Sequence, residues 1–419
     1  MCGTSETRSP SKRGLEGTLG TGGDDGDLGD DGDETGAAVP KVSMVANVPD
    51  VAEVPAPSHE NPTITQCTCA LLLLSLSQRK VRWAKSMETP LPKSGCQSVA
   101  TASDKSELKP LFEGDRVSLV PHINAYLVSA PDAFVESRGR PLCAVPPMTY
   151  GNKPSDDGNL LLSESERDAI LRETPALAPF IRRYVGARDF IANDEIRYCF
   201  WLKDASPALY HGNREVMRRL AAVREFRLAS SAAPTRALAE QPGRFFSSPQ
   251  TEENYLLVPE VSSERRRYVP IGFMDARIIA ANTVSIVPGA TLYHFGVITS
   301  NVHNAWMRTI GGRLKSDYRY SGAIVYNNFP WPAPTDEQKA RIEETAHSIL
   351  HARDAHPDCS LKILYDELTM PPDLRKAHQE NDRAVMAAYG FPTKTTESEC
   401  VAELFKRYQS LVAAKGAKA

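Results

Sequence analysis

Three prolines in five residues, Pro330-Trp-Pro-Ala-Pro334, split the chain into two kinds of periodicity. Neither a helix interior nor a central strand tolerates such a stretch, since each proline lacks an N–H and restricts its predecessor. Upstream lie short apolar runs of strand composition: Tyr255-Leu-Leu-Val258, Tyr268-Val-Pro-Ile271, Ile278-Ile279, Thr283-Val-Ser-Ile-Val287, Leu292-Tyr-His-Phe295 and Ala323-Ile-Val-Tyr326. Downstream, Thr335-Asp-Glu-Gln338 is a capping box, and Ile342, Ala346, Ile349 and Leu350 follow at helical spacing. Further helices are expected from about Pro372 to Tyr389, stopped by Gly390, and from Thr396, boxed by Glu399, through Val401, Leu404, Phe405, Tyr408 and Leu411. The expected fold class is α+β, a mixed, strand-rich unit over residues 110–334 followed by a small helical bundle over 335–419.

Residues 1–109 differ from both. They are rich in Gly, Asp, Ser, Pro and Thr, and residues 1–60 hold twelve acidic against four basic side chains, leaving +5 for the rest of a chain whose net charge is -3. Such a segment buries too little apolar surface to offset its chain entropy, so disorder is expected. Gly17-Thr-Leu-Gly-Thr-Gly-Gly23 lacks the flanking strand and helix of a nucleotide loop. Leu71-Leu-Leu-Leu74 sits in an apolar run far short of the about 20 residues a membrane helix needs. The eight cysteines show no framework, and Cys67-Thr-Cys69 with Cys96 and His59 has the wrong spacing for zinc, so no metal is expected and the default setting is reduced and cytoplasmic.

Order is expected from near Phe112, with Val117-Ser-Leu-Val120 and Ile123-Asn-Ala-Tyr-Leu-Val128 as short strands or turns. A helix opens at Ser163 with Glu166 as reciprocal cap, and Arg197-Tyr-Cys-Phe-Trp-Leu202 has the composition of a buried strand. A helix around Asn213 to Phe226 carries Val216, Leu220 and Val223 at helical spacing with Arg214, Arg218, Arg219, Arg224 and Arg227 around them, a wet face or a nucleic-acid stripe. Another runs from Ser300 or Asn301 to Gly311-Gly312, with Trp306 and Ile310 inward.

The run Gly311-Gly-Arg-Leu-Lys-Ser-Asp-Tyr-Arg-Tyr-Ser321 concentrates the chemistry. Taken as one strand, it sends Arg313, Lys315, Asp317 and Arg319 to a single face. DNA is one counterpart for such a row, because Arg and Lys donate to phosphates or to guanine O6/N7 and Asp accepts from cytosine N4. A surface salt-bridge ladder is the other. Asn282 is a second base-reading candidate for adenine, with a structural turn as its alternative. Arg265, Arg266, Arg267 and Arg308 are candidate phosphate ligands, with a charged turn as the alternative for the first three. Tyr318, Tyr320, Trp306 and Trp331 are expected in the core.

Tyr198-Cys-Phe-Trp-Leu202, Val258-Pro-Glu-Val-Ser-Ser-Glu-Arg-Arg-Arg-Tyr-Val-Pro270, Trp306 to Ser321, Tyr326-Asn-Asn-Phe-Pro-Trp-Pro332, Leu364-Tyr-Asp366, Met370-Pro371 and Lys376-Ala-His378 together resemble the C-terminal half of MmeI-like single-chain restriction-modification enzymes, which are adenine-specific DNA methyltransferases. The resemblance runs from about Ile123 to Tyr408. It implies a target recognition domain followed by a helical C-terminal region, with side chains from Arg313–Arg319 choosing bases in the major groove of double-stranded DNA.

The family's catalytic Asn-Pro-Pro-Tyr/Phe loop, which would grip a flipped adenine, does not occur: the Pro-Pro pairs are Val145-Pro-Pro-Met148 and Met370-Pro-Pro-Asp373. Catalytic residues are therefore expected to be none, and S-adenosylmethionine is implied only for a catalytic domain outside this chain. Pro49-Asp50 with Glu107-Leu-Lys109 matches a nuclease pattern too loosely to carry weight. Two alternatives stand beside a DNA-recognition module: a degenerate S-adenosylmethionine-dependent methyltransferase, and a helical subunit docking a separately encoded methyltransferase. The DNA-binding role implies a cytoplasmic, nucleoid-associated protein if the source is bacterial.

Overall fold

The computed structural model describes residues 99–100, 108–113, 116–193 and 195–416. The expectation of disorder over 1–109 thus lies, apart from Val99, Ala100, Leu108 and Lys109, outside the described residues, as do Cys2, Cys67, Cys69, Cys96 and the Leu71–Leu74 run.

The first strands, β1 (Val99–Ala100), β2 (Lys109–Glu113) and β3 (Arg116–Val120), form an antiparallel meander. Next come β4 (Thr149–Tyr150), β5 (Leu161–Leu162), α1 (Glu164–Glu173), β6 (Ile181–Val185), α2 (Ala187–Ala192), β7 (Arg197–Phe200), α3 (Arg214–Leu228) and α4 (Ala233–Ala237). The strand-rich middle continues with β8 (Tyr255–Pro259), β9 (Val261–Ser262), β10 (Gly272–Met274), β11 (Ile279–Ala280) and β12 (Val284–Pro288). Helices α5 (Leu292–Thr299) and α6 (Asn301–Ile310) lead into strands β13 (Gly312–Leu314) and β14 (Asp317–Arg319). Four helices finish the described chain: α7 (Asp336–Asp354), α8 (Leu361–Leu364), α9 (Pro372–Tyr389) and α10 (Glu397–Gly416). The fold is α+β, strand-rich in the middle and helical at its C-terminal end.

Two four-stranded sheets, β10-β8-β12-β4 and β11-β6-β7-β5, and a three-stranded sheet, β13-β14-β9, make up the middle. Strand β8 is buried at all five positions, which is why its sequence is continuously apolar rather than alternating. The predicted caps form: Ser163 with Glu166, Thr335 with Gln338, and Thr396 with Glu399 each close a reciprocal box, and Gly390 ends α9 at φ 73°.

Three expected strands take other forms. Leu292–Phe295 opens α5, which buries Tyr293 and Phe295–Thr299 and so has no polar face to print a helical period on the sequence. Ala323–Tyr326 lies in a π-helical turn, where Asn328 Nδ2 donates to the Ala323 and Ile324 carbonyls and Trp306 Nε1 to that of Val325. Tyr268–Ile271 is buried without a ladder: its Val269 N–H donates to Asn304 Oδ1 at 3.0 Å and its Ile271 carbonyl accepts from Arg353 at 2.7 Å. In the last two cases side chains satisfy backbone groups that a sheet would have paired.

One apolar core spans the proline-rich joint. It joins Tyr268, Trp306, Tyr326, Phe329 and Trp331 to Ile342, Leu374, Val385, Leu404 and Phe405. Helices α5 and α7 meet at Gly296, where a Cβ would lie 2.7 Å from Ile342 Cγ2 and 3.0 Å from Asn381 Oδ1. Asn381 Nδ2 donates to the Gly296 carbonyl through the same gap.

The arginines of α3 do not form a basic stripe. Arg218 and Arg219 pair with Glu215, Arg219 also with Glu166, and Arg224 with Glu240. Arg227, fully buried, donates to five backbone carbonyls, those of Pro154, Ser155, Leu238, Gln241 and Arg244. Among the described residues no helix is long and apolar enough to cross a membrane.

Candidate nucleic-acid interface

The charged run is a hairpin, not one strand. Gly312 pairs with Arg319, Arg313 with Tyr318 and Leu314 with Asp317, leaving Lys315-Ser316 as a two-residue loop. Lys315 holds φ at +54°, the left-handed conformation that a tight hairpin turn demands and that glycine usually supplies. Because directly paired residues share a face, the expected row of four charges is broken. Arg313 lies with buried Tyr318, its guanidinium 3.7 Å from the ring centroid and Nη1 donating to the Ser316 carbonyl at 2.7 Å. That arginine braces the turn. The opposite, outward face carries Leu314, Asp317 and Arg319, with Lys315 exposed at the tip.

Strand β14 is tied back to the larger sheet through Glu260. Val261 and Ser262 pair with Arg319 and Tyr318, the Glu260 carbonyl accepts from Tyr320 N–H at 2.7 Å, and the Glu260 N–H donates to the Thr283 carbonyl at 3.2 Å. The exposed Asn282-Thr283 turn and the hairpin therefore flank one residue, although they are far apart in sequence. Burial pushes the Glu260 carboxyl up, while the Arg319 charge and the Ser285 hydroxyl pull against it. Sequence reasoning passes over Glu260 and Leu314; the only signal for either is a polar residue between two strand runs and an apolar residue amid charges.

The Ser263–Arg267 loop lies beside the hairpin, where Glu264 N–H donates to Asp317 Oδ1 at 3.3 Å. Asp317 thus spends one oxygen on the loop. Arg265 and Arg267 are exposed and Arg266 is half-buried, its guanidinium lowered by burial and raised by Asp317 and Asp366. Arg308 departs from its expected phosphate role. It is buried, with Nε and Nη2 on the Glu397 carboxylate at 2.8 and 2.9 Å and Nη1 on the Arg267 carbonyl at 2.9 Å. Burial opposes its charge, Glu397 together with Tyr318 and Tyr268 more than offsets that, and the two bonds to Glu397 hold the start of α10 against α6. A cleft of about 370 Å³ separates the loop from these helices.

The aromatic residues of the run face inward. Trp306, Tyr318, Tyr320 and Trp331 are all buried, and Tyr320 Oη meets His303 Nε2 at 2.8 Å. None is available to stack on a base. What remains outward is the face of Lys315, Asp317, Arg319 and Leu314, with Arg265 and Arg267 exposed on the neighbouring loop and Asn282 exposed in the turn bonded to Glu260.

Two families of sequence match this chain: "MmeI, target recognition domain" over residues 129–333 and "MmeI, C-terminal domain" over residues 334–414. DNA methyltransferase A of Bacillus subtilis (strain 168) is 34% identical over 303 residues, covering 72% of this chain and 34% of the relative. The solved structure of the Type IIL restriction-modification enzyme MmeI in complex with DNA superposes with a TM-score of 0.69 at 42% identity, covering 74% of this chain and 42% of that one. The chain thus spans about a third of the length of the methyltransferase and well under half of MmeI. Over residues 129–414 it belongs to the MmeI family and carries that family's target recognition and C-terminal domains.

Proposed function

We propose that this chain is the sequence-specific double-stranded DNA recognition module of an N6-adenine methyltransferase of the restriction-modification type. The observation that carries the reading is the outward face of the hairpin. It holds donors, Lys315 and Arg319, beside an acceptor, Asp317, on a hairpin closed by a two-residue loop, and a major groove admits a two-stranded ribbon. Asn282 extends that surface along the sheet end, and Arg265 and Arg267 supply the salt-sensitive phosphate contacts that fix register. MmeI, bound to DNA in its solved structure, supports the same partner.

Methyl transfer itself is assigned elsewhere. At Gly186, in the turn between β6 and α2, a Cβ would lie 2.9 Å from Thr283 Oγ1 and 3.2 Å from Asp189 Oδ2. Protein side chains already fill that space, so the residues present do not fit S-adenosylmethionine there. We assign the cofactor and the target adenine to a catalytic domain, in the same polypeptide or separately encoded. The docking-subunit alternative gains no support from the helices, whose apolar residues Ile342, Leu374, Val385 and Leu404 are spent on the shared core. A cytoplasmic, nucleoid-associated setting goes with the DNA role.

Selection of the full chain against randomised duplexes tests the reading. Recovery of one short sequence motif is expected; retention of all duplexes equally, or of none, would refute it.

A further inference from the structure

We infer that Leu314 reads the C5-methyl group of a thymine in the recognition sequence, an inference that rests on the DNA reading proposed above. Leu314 is 52% exposed and belongs to none of the three apolar cores. Isolated exposed leucines are common on protein surfaces, so exposure alone decides nothing. Its place does. Register pairs it with Asp317, so by the alternation of the strands it shares the outward face with Asp317 and Arg319, one residue from the exposed tip at Lys315.

The major-groove edges of the four base pairs differ in donors, acceptors and one apolar group, the thymine methyl. Lys315 and Arg319 provide donors and Asp317 an acceptor. Leu314 is the apolar member of that outward set. Turned to water it gains nothing, and against a thymine methyl both surfaces are removed from water together. The hairpin backbone holds Leu314 beside the polar readers, so the thymine lies at or next to the base pair addressed by Lys315 and Asp317.

The test uses the motif selected by the full chain, with each thymine replaced in turn by deoxyuridine, which deletes the methyl and keeps the pairing. At one position the swap weakens the wild-type protein ~4-fold, the worth of one buried methyl group. Leu314→Ala binds the thymine duplex more weakly and does not distinguish the two bases there. If every swap costs the wild type less than twofold, if the motif lacks thymine, or if Leu314→Ala remains as sensitive as the wild type, the assignment to Leu314 is overturned while the recognition reading stands. Failure to select any motif overturns both. The deoxyuridine series needs no variant, so its outcome does not depend on how Leu314→Ala folds.

Discussion

At the scale of single residues, the charged side chains sort by what already holds them. Arg313 lies over the Tyr318 ring and binds the Ser316 carbonyl, Asp317 accepts from the Glu264 N–H, and Arg308 is fixed to Glu397. Lys315, Arg319, Arg265 and Arg267 are exposed. A phosphate ligand and a base reader differ in what their loss does across sequences. Arg265→Ala is therefore expected to weaken binding to all duplexes alike and to lower the salt slope by about one counterion, as titrations over a range of salt concentrations would measure. An effect confined to one base pair would place Arg265 among the readers instead.

At the scale of elements, the sequence made the charges legible and their facing illegible. A two-residue hairpin normally announces itself by glycine or asparagine, and here lysine occupies the left-handed position, so nothing in Leu314-Lys-Ser-Asp317 marks a reversal. The helices with reciprocal caps were legible because their termini are written in side chains. Helix α5 was not, since a helix buried almost all round has no amphipathic stripe. Arg308 follows the same logic, for its partner Glu397 is 89 residues away and only the packing of α10 on α6 unites them. Arg308→Ala should lower stability by roughly 1–2 kcal/mol, because it removes a buried guanidinium and its bond to the Arg267 carbonyl while the Glu397 carboxylate left behind is half exposed and solvated. Denaturant unfolding would measure this, and a loss of DNA affinity with stability unchanged would return Arg308 to the phosphate ligands.

At the scale of the whole molecule, the strand-rich middle and the helical tail share one core, and a buried carboxyl on α9 lies against Tyr268 and the start of α6. Asp382 on α9 accepts from Tyr268 Oη at 2.7 Å and from the Asn301 N–H at 2.7 Å, and burial raises it to about 6. Since the folded protein holds this proton more tightly than the unfolded chain, stability falls as pH rises from about 4 to about 6, by up to about 3 kcal/mol from this group alone. The difference in unfolding free energy between wild type and Asp382→Asn should therefore change across that window and be flat above pH 7; a difference flat throughout would contradict the assignment. The central claim is tested most directly by comparing the motifs that wild type and Lys315→Ala select from randomised duplexes. The account predicts that the variant keeps the motif but loses preference at one base pair, at a cost of about 1–3 kcal/mol for the correct site. An unaltered motif, or an equal loss on every sequence, would contradict it.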